Sequence, residues 1–185
     1  MKNLINKKLL IVGLGNPQAL YKNTRHNCGA FFLEWLKENL KSEKFKINQK
    51  VLSEISILKT KDKTIFLVKP LTFMNNSGEA VKKLKNFFKL KNKEIIIVHD
   101  DSDLFLGSFK IQFKRGSAGH KGVESIINSL KTNEFYRIRI GVRPKNLKKL
   151  KAEYFILKNF SLKEREILNN TFQKILTKLN FIREM

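Results

Sequence analysis

The apolar residues of this chain form short continuous runs, which alternate with longer segments where apolar residues recur every three or four positions. Short runs bounded by glycine, proline or polar residues predict strands, and the spacing of Val81, Leu84 and Phe88 predicts an amphipathic helix. The predicted strands lie at about 8–13, 51–58, 64–69, 94–99, 109–114 and 137–142. The predicted helices lie at about 29–41, 77–90, 119–130 and 161–180.

Two of these helices have a recognisable start. Ser161 and Glu164 have the spacing of a capping box, and Asn76 and Glu79 have a similar Asn-x-x-Glu spacing. Both pairs predict that a helix begins at the next residue.

Strands that alternate with helices predict an α/β protein, with one domain over residues 1–185. Several strands are too uniformly apolar to face water on either side, so we expect a twisted, mixed but mainly parallel sheet with helices on both faces. The exception is 109–114, where apolar and polar residues alternate as in a half-exposed strand. This strand is the candidate for an antiparallel neighbour.

Charge and composition indicate which partners the protein binds and in which compartment it acts. A net charge of +22, from 38 basic and 16 acidic residues, attracts polyanions, and nucleic acid is the obvious partner. Most of the basic residues are lysines spread along the chain among many Asn, Ile and Phe residues, a bias that an AT-rich genome also produces.

No apolar run reaches the roughly 18 residues needed to span a bilayer. The single cysteine, Cys28, cannot form an internal disulfide and is expected to pack at a helix start. We therefore expect a soluble, cytoplasmic protein.

Three predicted strands are followed by side chains that can perform chemistry. Gly-Leu-Gly-Asn-Pro and Thr-Arg-His-Asn follow the first strand and contain Asn16 and His26. Phe-Met-Asn-Asn-Ser-Gly follows another strand and contains Asn75, and a third strand ends at Asp100. Because the carboxyl ends of parallel strands meet at one edge of a sheet, these four side chains are expected to share a crevice.

The residue types in this crevice suit hydrolysis by activated water. An imidazole such as His26 can take a proton from water, and Asp100 could accept its other N–H and fix its tautomer. The amides of Asn16 and Asn75 could donate to a carbonyl oxygen and orient an ester. Taken singly, each has a structural alternative: a helix-entry histidine, turn-forming asparagines, or an acidic turn or cation site at 99–103.

A basic loop at 114–122, Lys-Arg-Gly-Ser-Ala-Gly-His-Lys-Gly, runs into the third predicted helix. Backbone N–H groups at a helix start, together with cationic side chains, can hold phosphate. Arg137 and Arg139 alternate along the following strand and could extend this basic track. The alternative is a solvated basic surface.

Together these motifs resemble the bacterial peptidyl-tRNA hydrolase family. The resemblance runs from about Lys8 to Pro144 through GLGNP, TRHN, FMNNSG, HDDSDL, GSAGHKG and RIRIGV. It implies hydrolysis of the ester that joins a peptide to the 3′-terminal ribose of tRNA, by a monomer that needs no metal or organic cofactor. The C-terminal stretch carries no motif.

The resemblance also implies roles for individual residues. His26 would be the base and Asp100 its partner, while Asn16 recognises an N-blocked amino acid and Asn75 contacts substrate near the scissile bond. Asp101 and Asp103 are expected to shape the turn. By resemblance, Tyr21 and Phe73 contact the tRNA end. Beside them, Met74 offers apolar surface, and we expect the basic face around Lys114, Lys121 and Arg139 to bind the acceptor stem. As isolated residues, Phe73 and Met74 would instead be interpreted as core.

The chain departs from the family pattern at two positions. Lys121 stands where the family has a substrate-binding asparagine, and a lysine can hold phosphate but cannot accept a hydrogen bond. Gln18 replaces the glycine that usually follows Asn-Pro. A non-catalytic RNA-binding relative is the main rival function, favoured by Lys121 and opposed by the intact His26 and Asp100. An NAD-binding oxidoreductase, suggested by Gly-Leu-Gly at 13–15, is opposed by the missing third glycine.

Overall fold

The structure is a computed structural model that describes residues 7–61, 63–146 and 150–179. Its strands are β1 (Lys7–Gly13), β2 (Lys46–Asn48), β3 (Ser53–Lys59), β4 (Lys63–Pro70), β5 (Ile95–Phe105), β6 (Phe109–Phe113) and β7 (Tyr136–Arg143). Its helices are α1 (Cys28–Leu40), α2 (Ser77–Phe88), α3 (Lys121–Leu130) and α4 (Leu162–Lys178). The sequence predicted these elements within a few residues, with two exceptions: it missed the short edge strand β2, and it ended β5 at 99 although this strand continues to Phe105.

The strands form one sheet in the order β2-β3-β4-β1-β5-β7-β6. The four central strands, β4, β1, β5 and β7, run parallel. At the edges, β3 pairs antiparallel with β2 and β4, and β6 pairs antiparallel with β7. The mixed sheet and the antiparallel strand at 109–113 are therefore confirmed.

Both faces of the sheet are covered. On one face, α1 and α4 pack against Ile11 and Val98, and on the other, α2 and α3 pack against Leu10 and Val12. Consecutive residues of a strand point to opposite faces, so a strand between two helical layers must be apolar at every position. This requirement explains the continuous aliphatic runs in the sequence. None of the described helices has the length and apolarity needed to cross a membrane.

The two predicted helix starts differ in outcome. Ser161 and Glu164 form the predicted capping box, with the Ser161 N–H donating to the Glu164 carboxylate at 2.8 Å. The capping prediction for Asn76 is wrong: α2 begins at Ser77, but the Asn76 side chain makes no cap hydrogen bond. Asn76 ends a 3₁₀ turn (Met74–Asn76) with φ −113° and ψ 10°, whereas a capping side chain needs an extended backbone.

Close contact between backbones fixes α1 at the ends of the central strands. A Cβ atom at Gly29 would collide with the carbonyl oxygen of Val98 in β5, and one at Gly13 would collide with the carbonyl oxygen of Gly29. Cys28, the first residue of α1, is fully buried beside them, and burial raises the pKa of its thiol well above the ordinary value. The residues just before α1 are therefore held directly over the carboxyl ends of β1 and β5.

Candidate active site

A cavity of about 530 Å³ opens at the carboxyl ends of the central parallel strands. Its lining includes all four residues that the strand-end argument predicted: Asn16, His26, Asn75 and Asp100. They come from the β1–α1 connection, the β4–α2 connection and β5. The walls also contain Met74, His120, Lys121, Arg139, Glu153 and Leu157.

His26 is paired with Asp100. The Nδ1 atom of His26 lies 3.0 Å and 3.2 Å from the two carboxylate oxygens of Asp100, whose side chain has no exposed surface. Burial raises the pKa of Asp100, but the combined effect of His26 and His120 lowers it by more. The net pKa therefore lies well below the ordinary value. Asp100 is therefore an acceptor, and His26 carries its proton on Nδ1. The Nε2 atom of His26 keeps its lone pair, as a base requires.

The charge state of His26 reflects opposing effects. Burial lowers the pKa of His26, the charge and hydrogen bond of Asp100 raise it, and the charge of Lys121 lowers it. The net result is a pKa above the ordinary value. A carboxylate partner thus strengthens the base, while a cation at the cavity wall opposes protonation.

His120 also binds Asp100, a contact that the sequence interpretation missed. Its Nε2 atom lies 2.9 Å from Oδ1 of Asp100, and its ring centroid lies 5.1 Å from that of His26. His120 is the N-cap of α3, and its Nδ1 accepts from the N–H of Val123 at 3.3 Å. Its place at the start of a helix, in the same basic loop as Lys121, was the available signal.

The remaining histidine completes a cluster, because all three histidines of the chain surround Asp100. The Nδ1–H of buried His99 donates to the backbone carbonyl of Asp100 at 2.7 Å, and its ring lies 4.5 Å from that of His120. Burial lowers the pKa of His99 well below the ordinary value, so this imidazole is neutral. His99 therefore supports the backbone of Asp100.

Asn16 is held in a defined orientation. Its Oδ1 atom accepts from the backbone N–H of Met74 at 2.9 Å. Its own backbone N–H and carbonyl both bond to the side chain of Asn27, each at 2.9 Å. Since the oxygen of the amide is already engaged, the Nδ2 group is the part of Asn16 left to donate to a ligand.

Asn75 is more exposed than Asn16. It belongs to the 3₁₀ turn before α2, and its side chain forms no hydrogen bond with the described parts of the chain. Met74, the neighbouring residue, is buried, with its sulfur against Gly122 of α3. The turn therefore presents one amide to the cavity while Met74 anchors it.

The residues predicted to bind tRNA are not all in the cavity. Met74, Lys121 and Arg139 line it, whereas Tyr21, Phe73 and Lys114 do not. Phe73 is 45% exposed beside the rim, and Lys114 forms an ion pair with Glu134 at 2.7 Å.

The proposed basic track on β7 is only half present. Arg139 lines the cavity, with its Nε donating to Asp101 and its Nη1 donating to Gln112. Arg137 cannot extend the track, because it is buried, and burial lowers its pKa to about 10. Asp101 also accepts from the backbone N–H of Asp103 at 2.9 Å. The turn expected here is instead an irregular stretch of β5, where the register against β7 shifts.

A segment without sequence motifs completes the site. The backbone N–H of His26 donates to the carbonyl of Ile156 at 2.9 Å, and Ile156 and Leu157 form one wall of the cavity. Arg25 donates to the carbonyls of Lys158 and Asn159 and forms a two-pronged ion pair with Glu164. The C-terminal third of the chain therefore holds the backbone of His26 in place.

The ligand atoms of His26, Asp100 and His120 lie within 4.8 Å of one another, a spacing that could hold a metal ion. However, each imidazole nitrogen that faces Asp100 carries the proton of a hydrogen bond. On His120 that proton cannot move to Nδ1 without breaking the bond from Val123. The geometry therefore favours a hydrogen-bonded network over a metal centre.

This chain is similar to known proteins over most of its length. The family model described as "Peptidyl-tRNA hydrolase" matches residues 10–185. The peptidyl-tRNA hydrolase of Mycoplasma mycoides subsp. mycoides SC is 42% identical over 179 residues, covering 95% of this chain and 91% of that protein. That of Persephonella marina is 39% identical over 175 residues, covering 92% of this chain and 90% of that protein.

Solved structures show the same fold. The crystal structure of peptidyl-tRNA hydrolase from Acinetobacter baumannii is similar with a TM-score of 0.82 and 28% identity, covering 93% of this chain and 86% of that one. The family match reaches past the last recognisable motif to include the C-terminal segment that holds His26. The chain therefore belongs to the peptidyl-tRNA hydrolase family.

Proposed function

We propose that this protein hydrolyses the ester bond of peptidyl-tRNA, releasing the peptide and free tRNA. The observation that carries the proposal is the His26–Asp100 pair, which leaves the Nε2 lone pair of His26 available in a cavity lined by Asn16 and Asn75. Family membership supplies the substrate class, and the comparisons give no support to a non-catalytic RNA-binding relative.

The reaction follows from the protonation states of the pair. Nε2 of His26 takes a proton from water while the water oxygen attacks the ester carbonyl carbon. The resulting imidazolium is stabilised by Asp100, as in other histidine–aspartate pairs. The bond from carbon to the ribose 3′-oxygen then breaks, and that oxygen receives the proton from His26. No covalent intermediate with the protein is needed, and the buried Cys28 thiol is unsuited to form one.

The two asparagines would recognise the peptide end. The free Nδ2 group of Asn16 can donate to a carbonyl oxygen of the substrate, and Asn75 can contact the groups beside the scissile bond. An aminoacyl-tRNA without an N-acyl group carries an ammonium in this region. The nearby Lys121 would repel that ammonium, which favours N-blocked substrates.

The tRNA would approach the same end of the sheet. Among the cations proposed for it, Arg139 and Lys114 already form ion pairs with Asp101 and Glu134. Lys121 lines the cavity and forms no ion pair within the described residues, so it is the cation best placed for a phosphate near the tRNA 3′ end. Tyr21 and Phe73 would offer aromatic surface to a terminal base from outside the cavity.

The net charge of +22 would add long-range attraction to the acceptor stem. Action as a monomer is what the resemblance to the family implies. Peptidyl-tRNA arises during translation, which supports action in the cytoplasm.

The test is release of a labelled N-acetyl-aminoacyl group from tRNA by the purified protein and by His26→Ala. Loss of the base is expected to lower kcat/KM by about 10²- to 10⁴-fold. Unblocked aminoacyl-tRNA serves as the matched substrate control and is expected to react weakly. Tight tRNA binding without His26-dependent release would refute the proposal and point to the RNA-binding relative.

A further inference from the structure

We propose that His120 is a positioning residue: its Nε2–H donates to Oδ1 of Asp100, so that two imidazoles share one carboxylate, which fixes the direction of the His26 ring and limits how strongly Asp100 stabilises protonated His26. The inference rests on the proposed function, because it assigns His120 a role in setting the properties of His26. It adds a third member to the His26–Asp100 pair, taken from a different part of the chain.

The hydrogen bonds determine which nitrogen of His120 carries the proton. Nδ1 faces the backbone N–H of Val123 at 3.3 Å, and an N–H can only donate, so Nδ1 must accept. In a neutral imidazole the proton then lies on Nε2, which faces Oδ1 of Asp100 at 2.9 Å. The helix cap thus fixes the tautomer that makes His120 a donor to Asp100.

The two imidazoles meet the carboxylate in different ways. His26 lies 3.0 Å from Oδ1 and 3.2 Å from Oδ2, whereas the contact of His120 is with Oδ1. Asp100 has no exposed side-chain surface, so water does not replace a lost donor without rearrangement. With His120 in place the carboxylate has a defined rotation, and this rotation sets the direction of the His26 ring.

Sharing the carboxylate also limits how strongly it stabilises protonated His26. A carboxylate that already accepts an N–H from His120 attracts a second proton donor less strongly. Other charged groups face the cavity as well: Lys121 on α3, Arg139 on β7, Asp101 on β5, and Glu153 in the segment before α4. Arg139 is paired with Asp101, so Lys121 is the nearby charge that, together with burial, lowers the pKa of His26. We infer that the sharing of Asp100 with His120 acts in the same direction.

Two substitutions separate the contact with Asp100 from the cap of α3. His120→Asn keeps an acceptor at the δ position for the N–H of Val123 but has no donor that reaches Asp100. His120→Gln keeps a donor at the ε position but lacks the δ nitrogen that caps the helix. If His120 acts through Asp100, His120→Asn should lower activity more than His120→Gln. If His120 only caps α3, His120→Gln should lower activity at least as much as His120→Asn.

The experiment measures kcat/KM for N-acetyl-aminoacyl-tRNA against pH for the wild type, H120N, H120Q and H26A. In H120N we expect kcat/KM near neutral pH to fall about tenfold, the effect of losing one hydrogen bond to a charged group. The acidic limb of the profile is also expected to move to higher pH, because Asp100 then stabilises protonated His26 more strongly. H120Q is expected to stay within about threefold of the wild type, with a lower melting temperature.

Each outcome has a separate meaning. An H120N profile with an unchanged acidic limb, or an H120Q loss equal to that of H120N, would overturn the inference, provided that H26A is inactive. An active H26A would instead overturn the proposed function. Should H120N fail to fold, ¹⁵N NMR of the wild-type histidines decides: a proton on Nε2 of His120 at neutral pH supports the inference, and a proton on Nδ1 overturns it.

Discussion

Replacing Arg25 by Met tests whether the C-terminal segment holds His26, the proposed base, in place. The guanidinium of Arg25 is 8% exposed and reaches Glu164, which is 16% exposed, with contacts of 2.7 and 2.8 Å. A second arm of the guanidinium donates to the carbonyls of Lys158 and Asn159 at 3.0 and 2.9 Å. Methionine retains much of the apolar stem but removes all four hydrogen bonds.

The expected loss of stability follows from the burial of the pair. Removing one partner of a buried ion pair costs about 3–5 kcal/mol, because the other charge is left without compensation. Here Glu164 keeps its capping bonds to Ser161, and the Nε atom of Arg25 is already buried without a partner among the described residues. Both facts place the loss of stability in Arg25→Met at the lower end of this range. The free energy of unfolding should therefore fall by about 3 kcal/mol.

The pH dependence of this loss has a defined sign. Burial raises the pKa of Glu164, but bonds from Ser161 and Arg25 lower it below the ordinary value of a glutamate overall. A carboxylate with a lowered pKa in the folded state contributes stability above its unfolded pKa, and that stability is lost as pH falls through the folded pKa. The difference in the free energy of unfolding between the wild type and Arg25→Met should therefore be largest at neutral pH and decrease in acid.

The assay is urea unfolding followed by circular dichroism, together with kcat/KM for the blocked substrate. Lys163→Met, at an exposed position on α4, is the control and should change stability by less than about 0.5 kcal/mol. Arg25→Met should also lower kcat/KM, because the bond from the His26 N–H to Ile156 loses its support. A stability change as small as that of Lys163→Met would refute the reasoning.

Two further predictions concern the cavity. Asn16→Asp keeps an oxygen for the N–H of Met74 but removes the Nδ2 donor. We therefore expect kcat/KM to fall by about 10²- to 10³-fold with little change in melting temperature. A fall in activity matched by loss of folded protein would contradict a role in the reaction. Lys121→Asn removes a charge that lowers the pKa of His26, so the acidic limb of the pH profile should move to higher pH. The same change should flatten the dependence of KM on salt, which kinetics at several salt concentrations would measure, and an unchanged salt slope would argue against a phosphate contact.

Much of this site could be predicted because residues at the carboxyl ends of parallel strands lie at the same edge of the sheet. Asn16 and His26 follow an apolar strand, and Asp100 follows the apolar run at the start of β5. Parallel strands bring such positions together whatever the details of packing. His120 could not be placed in the same way, because the strand before its loop, β6, runs antiparallel to β7, so its carboxyl end lies at the opposite edge of the sheet. The direction of that loop depends on left-handed backbone at Ala118 (φ 51°) and Gly119 (φ 78°), which residue types alone do not specify.

The other misses also have physical causes. The sequence shows that Arg137 and Arg139 alternate, but not that Arg137 is covered by the surrounding chain. The C-terminal segment acts mainly through its backbone carbonyls, as in the bonds from Arg25 and His26, and every residue type has a carbonyl. Contacts of this kind leave no motif in a single sequence.

The anchoring of Arg25 has a consequence for how the protein is made. During synthesis the loop around His26 is produced early, but Arg25 receives its partner carbonyl from Lys158, 133 residues later. His26, the proposed base, therefore reaches its final position only after most of the chain has been translated. A nascent copy of this enzyme is itself a peptide esterified to tRNA, so its assembly order keeps the hydrolytic centre incomplete through most of the period when its own ester is still needed.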